Sequence, residues 1–172
     1  VTGVAQVAGP FLLTGLLLDR LAASQGRVIT VSSGGAYLAP LTVSGLAPSA
    51  EGFDGARQYA RAKRAQITLC AIWAARTRGR GVSFHAMHPG WVDTPGLAEQ
   101  LPRFRSVLRP LLRTPEEGAD TVAWLAADRL GGETSVAFWF DRARRPLHRL
   151  ARTRASDTEE RRARLWAWCE EV

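Results

Sequence analysis

Two short apolar runs, Arg27 to Ser32 (RVITVS) and Val82 to Met87 (VSFHAM), each preceded by a long helical pattern, limit the folds open to this chain. Both runs are too short for helices and too uniformly apolar for strands with one wetted face, so each reads as a strand buried on both sides. The order helix, strand, helix, strand predicts parallel strands joined by crossover helices, a doubly wound α/β fold. The first helix, residues 4 to 23, is apolar nearly all round, as expected of a core or interface helix. The second, residues 57 to 77, sets Ile67, Leu69, Cys70, Ile72, Trp73 and Ala74 at helical spacing, with Arg on the other face. Between strand and second helix, residues 33 to 55 carry Gly, Pro and Ser without a period, an irregular connection of the long kind that often has a function.

Further on, His88-Pro89-Gly90 reads as a turn, Thr114-Pro115-Glu116-Glu117 opens a helix to about Ala127, and Ser135 to Asp141 reads as a strand. A charged helix within residues 156 to 172 closes the chain, with Ser156 as its N-cap. At 172 residues and 46% hydrophobic content, one domain suffices. Cys70 and Cys169 stand far apart and lack metal-ligand spacing, which argues against a disulfide framework or a zinc site. The longest apolar stretches, such as Phe11 to Leu18, fall short of a bilayer span and no signal-like segment is visible, so a cytoplasmic protein with no membrane span is expected. The formal charge of +7 raises nucleic acid as a partner. Its cause is scattered Arg without a binding motif, and no nucleic acid is expected.

Tyr59 and Lys63, in YARAK, stand four residues apart on the second helix and therefore on one face. An ammonium beside a phenol stabilises the phenolate, and a tyrosine so placed can exchange a proton with a hydroxyl or carbonyl. The spacing alone is weak. What raises it is that Lys63 is the only lysine in a chain that uses Arg for every other basic position. An amine with an adjustable pKa differs in kind from a guanidinium. Val31-Ser32-Ser33-Gly34-Gly35 closes the first strand, at the end where open α/β sheets bind ligands, and Ser33 there can hydrogen-bond a substrate oxygen.

VSSGG, YARAK and HPGWVDT, in this order, resemble the short-chain dehydrogenase/reductases over almost the whole chain. The resemblance implies an NAD(P)-dependent oxidoreductase that moves a hydride between NAD or NADP and an alcohol or carbonyl substrate. It assigns Tyr59 as general acid/base, Ser33 as the group orienting the reacting oxygen, and Lys63 as the residue that tunes Tyr59 and binds ribose hydroxyls. Pro89, Gly90, Val92 and Thr94 match the family turn that holds the nicotinamide end. The resemblance also makes Gln6 a catalytic residue, standing where the family usually has Asn in the preceding helix and keeping the amide on a longer stem for the water-mediated relay through Lys63. The family's amino-terminal Gly-rich turn finds no counterpart, and Val1-Thr2-Gly3 lacks its spacing. The chain is accordingly expected to be the carboxy-terminal half of such a fold, with about half of the nucleotide fold outside it, and to bind NAD(P) poorly alone.

Other readings are weaker. His85, His88, Asp93 and Ser33 suggest a serine hydrolase, but the G-x-S-x-G elbow is missing, and HAMH is too short for a helical zinc pair. Trp91 and the Leu-rich segment after it point to a bulky, apolar substrate. The contrasting hypothesis is a non-catalytic interaction module: the family's two long helices commonly pair in a homodimer or homotetramer, and residues 4 to 23 are apolar enough for that.

Overall fold

The computed structural model describes residues 3–47, 53–96, 106–107, 109–128 and 135–172. A wide helical turn, Val4–Ala8, runs into helix α1 (Gly9–Ala23), which leads to strand β1 (Arg27–Val31). A short 3-10 turn over Gly34–Leu38 and an irregular stretch follow, then the long helix α2 (Gly55–Arg76) and strand β2 (Ser83–Met87). Helix α3 (Pro115–Ala127) precedes strands β3 (Ala137–Phe140) and β4 (Ala143–Arg145), and helices α4 (Ala151–Ala155) and α5 (Glu159–Glu171) complete the chain.

The sheet has the order β1-β2-β3-β4, with β1, β2 and β3 parallel and β4 antiparallel to β3. All five residues of β2 are buried, as a central strand covered on both faces requires. Phe84, Ala86 and Phe138 pack on one face into a core built with α2 and α5, while Met87 and Trp139 pack on the other against Leu125 of α3. The sheet is therefore doubly wound, as the strand and helix order predicts. Helix α3 starts where its sequence says: the Thr114 hydroxyl accepts from the Glu117 amide and the Glu117 carboxylate accepts from the Thr114 amide.

Three expectations are corrected. Of the two alternatives for the apolar helix, the core one falls: no residue of α1 is fully buried, and Leu12, Leu13, Leu16 and Leu17 are exposed while Phe11, Leu18, Leu21 and Ala22 pack inward. With the turn before it, Val4–Ala23 is a 20-residue helical stretch that is, by length and composition alone, apolar enough to cross a membrane, longer than the Phe11 to Leu18 run suggested. Second, α2 is the helix enclosed nearly all round, because the sheet, the wide first turn, the Gly34–Leu38 turn and α5 all lie against it. Arg64 of the supposed wetted face is fully buried there. Third, Ser156 caps the carboxyl end of α4, and α5 takes Thr158 as its N-cap, the Thr158 hydroxyl accepting from the Arg161 amide.

The β3–β4 hairpin was not foreseen. Its two turn residues, Asp141 and Arg142, have φ of 52° and 53°, a conformation usually left to Gly and Asn. Paired charges hold them there: Asp141 receives both arms of the Arg113 guanidinium, and Arg142 pairs with Asp120.

Candidate active site

The carboxyl ends of β1 and β2 bring the sequence-predicted residues to one end of the sheet, the end where parallel α/β sheets bind ligands. Lys63 is tied to the end of β1 twice. Its ammonium donates to the Val31 carbonyl at 3.0 Å, and its own carbonyl accepts from the buried Ser32 hydroxyl at 2.9 Å. Tyr59 lies one turn earlier on α2, half exposed, with the Lys63 ammonium 5.5 Å from its ring centre. Burial lowers the Lys63 pKa from its ordinary value, which eases passage of a proton through the amine.

Ser33 is the N-cap of the Gly34–Leu38 turn, its hydroxyl oxygen accepting from the Gly35 amide at 3.2 Å. That bond uses a lone pair and leaves the O–H free to donate. A Cβ placed on Gly34 would lie 3.8 Å from His88 Nδ1, so the loop after β1 abuts the turn after β2. In that second turn His88 Nδ1 accepts from the Gly90 amide at 3.3 Å, and Gly90 has φ of +83°. A side chain there would meet Arg113 at 2.9 Å and Phe140 at 3.2 Å, so glycine is required for space as well as for conformation.

Of the remaining residues, Val92 forms a parallel bridge with Arg113 and packs against Gly118 at the start of α3. Pro89 is half-buried in the turn, and Thr94 is exposed at the edge of the described residues. Gln6 is not joined to Lys63. Its backbone carbonyl accepts from Gln66 Nε2 at 2.6 Å, almost one turn further along α2, and its side-chain Oε1 is buried without a hydrogen-bond partner. His85 is fully buried and accepts from the Trp139 indole at 3.1 Å, which makes it a core residue and removes it from any hydrolytic triad.

The residue the sequence reading missed is Arg64. Its Nε and Nη2 donate to the Ala36 carbonyl at 3.1 and 2.9 Å, and its Nη1 donates to the Leu147 carbonyl at 2.9 Å. One guanidinium thus joins the Ser33 turn, the Tyr59 helix and the segment after β4. The signal was present: counted back in helical steps, the apolar stripe through Ile67 and Thr68 reaches position 64. The donor set suits the nicotinamide end of a dinucleotide. Lys63 spends one of its three N–H donors on Val31, leaving two, and the Pro89–Gly90 backbone lies across the same end of the sheet.

A mainly parallel sheet with Ser33, Tyr59, Lys63 and a Pro-Gly turn at one end is the arrangement that the resemblance to short-chain dehydrogenase/reductases implies. Known proteins agree. Dehydrogenase/reductase SDR family member 12 from Bos taurus is 41% identical over 155 residues, 88% of this chain and 48% of the relative. The Homo sapiens protein of that name is 38% identical over 160 residues, 91% of this chain and 50% of the relative. Among solved structures, a short chain dehydrogenase/reductase family protein superposes with a TM-score of 0.60 at 24% identity, over 78% of this chain and 52% of its own. A Beutenbergia cavernae protein, named for NAD(P) dependent gluconate 5-dehydrogenase and solved with NADP at low occupancy, gives 0.58 at 21% identity, over 77% and 51%. No protein-family model matches. The chain belongs with the short-chain dehydrogenase/reductases and spans about half the length of the curated relatives it matches.

Proposed function

We propose that this chain carries the catalytic end of an NAD(P)-dependent oxidoreductase acting on an alcohol or carbonyl compound. The observation that carries the reading is the joining of Lys63 to the end of β1 one turn from Tyr59, beside Ser33. When bound, a nicotinamide would supply or accept the hydride. Everything else falls to the chain's own side chains.

The Ser33 hydroxyl donates to the substrate oxygen and fixes its position. Tyr59 passes a proton to that oxygen on reduction and takes it back on oxidation. The spare donors of the Lys63 ammonium would hold ribose hydroxyls, and its pKa, lowered by burial, suits it to refill Tyr59 with a proton. Gln6 gives its backbone carbonyl to Gln66 and has no part in this path.

The test is Tyr59→Phe in the complete protein, with oxidation of NADH and NADPH followed against a panel of aldehydes and ketones. Loss of general acid catalysis is expected to cut turnover by about 10² to 10⁴-fold, with cofactor affinity retained. Unchanged turnover in the variant would remove Tyr59 from the chemistry.

A further inference from the structure

Beside the Ser33 loop lies a basic cluster that the hydride chemistry does not use. The His88 ring stacks on Phe140, with centroids 4.2 Å apart and planes 6° apart, and it also touches Phe138. Three guanidinium groups surround this aromatic floor. Arg113 and Arg145 lie 4.7 and 5.4 Å from the Phe140 ring centre, and Arg149 lies 4.7 Å from that of Tyr37. Arg113 is neutralised by Asp141. Among the described residues neither Arg145 nor Arg149 has a carboxylate partner.

Surplus arginine on a surface is ordinary in so Arg-rich a chain, and Arg149, which is exposed, would by itself mean little. Arg145 is different. Its Nε is buried and has no hydrogen-bond partner, although a buried guanidinium donor left unpaired is costly. Its place is also fixed: Arg145 pairs with Phe138 in the β3–β4 ladder, and the Tyr37 hydroxyl donates to the next carbonyl, Pro146, at 2.8 Å. His88 adds no compensating negative charge. Burial, with Arg149 next, pushes its pKa down to about 4, so the ring is neutral, and because Nδ1 accepts from Gly90 its proton sits on Nε2 as a donor. Asp141, already bound to Arg113, is the carboxylate whose charge Arg145 feels, so the cluster keeps a positive excess. Two cations without a salt bridge and a neutral donor over aromatic rings form a receptor for an anion attached to an apolar body.

We infer that the substrate carries an anionic oxygen group, a carboxylate or a phosphate, on an apolar frame, and that this group docks on Arg145 and Arg149 beside the Ser33 loop. Calling the ligand a substrate rests on the oxidoreductase reading; the binding site itself does not.

The test is isothermal titration of the full chain at low salt with octanoate, octyl phosphate and octanol. Both anions are expected to bind at least about tenfold more tightly than octanol, and added salt should weaken the anions alone. Arg149→Gln and Arg145→Gln should each bring the anions to the level of octanol while octanol binding stays as it was. Arg149 is exposed, so its replacement costs no more than its contact with the Tyr37 ring. The stronger of the two anions identifies the head group. Equal binding of all three compounds, or anion affinity retained in both variants with unchanged circular dichroism, would overturn the inference. Anion binding that survives in an inactive Tyr59→Phe enzyme upholds both readings. If Tyr59→Phe stays active while the Arg variants lose the anions, the site stands and the catalytic assignment falls.

Discussion

Arg64 follows Lys63 directly, yet the two cations have opposite surroundings: Lys63 reaches the ligand end of the sheet, whereas Arg64 is sealed among backbone carbonyls. Replacing Arg64 by Met leaves the Ala36 and Leu147 carbonyls without these donors and should cost about 3 kcal/mol or more of stability in urea melts. Lys should not restore it, since a single ammonium cannot span carbonyls that a planar fork bridges. His88 makes a second prediction. Its folded pKa of about 4 lies below its ordinary 6.5, so between those values the unfolded chain holds a proton that the folded chain does not. Stability should therefore fall as pH drops from 6.5 toward 4, with no contribution above that window. His88→Phe keeps the stack on Phe140 and should flatten part of that slope in urea melts taken at pH 7.5 and 4.5. His148, also lowered by burial and then by Arg64, remains as background of the same sign. At this scale Tyr59, Lys63 and Ser33 were legible because their chemistry is bound to a motif. Arg64, Arg145 and Arg149 were not, because nothing in a run of arginines says which guanidinium a neighbouring element will bury.

Helices and parallel strands were largely legible as elements. Helix α3 was read to its capping box because a cap is a local interaction completed within four residues. Strands β1 and β2 were found from their uniform apolarity. Strand β4 was missed, for ARR has neither length nor apolar content, and pairing with β3 is what makes it a strand. The turn after β2 is an element whose need for glycine can be tested. Gly90→Ala should cost about 1 to 3 kcal/mol and displace Arg113 from Phe140, seen as a lower urea midpoint and a changed environment of the Phe140 ring in NMR spectra. Whether α1 was a core or an interface helix, and that α2 would be enclosed, could not be read locally, since apolarity shows that a helix has faces to cover and not which neighbours cover them. Leu12, Leu13, Leu16 and Leu17 remain an open apolar stripe along α1.

For the whole molecule, the ligand end unites groups from β1, α2 and the turn after β2, while the curated relatives are about twice as long as the chain. Much dinucleotide affinity comes from a Gly-rich turn and helix N-terminus at the pyrophosphate, for which these 172 residues show no motif. The 172-residue chain is thus expected to bind NADP⁺ more weakly than micromolar by isothermal titration, and micromolar binding would show that the ends of β1 and β2 suffice. The sequence by itself determined the fold class, the capped helix and the motif residues, because periodicity, capping and the Tyr-Lys spacing act over a few residues. Only the tertiary structure decided which helix lies inside, that Arg64 clamps three segments and that two arginines stand without a salt bridge beside the Ser33 turn. Burial and charge compensation depend on what distant segments place alongside, and no local pattern carries that information.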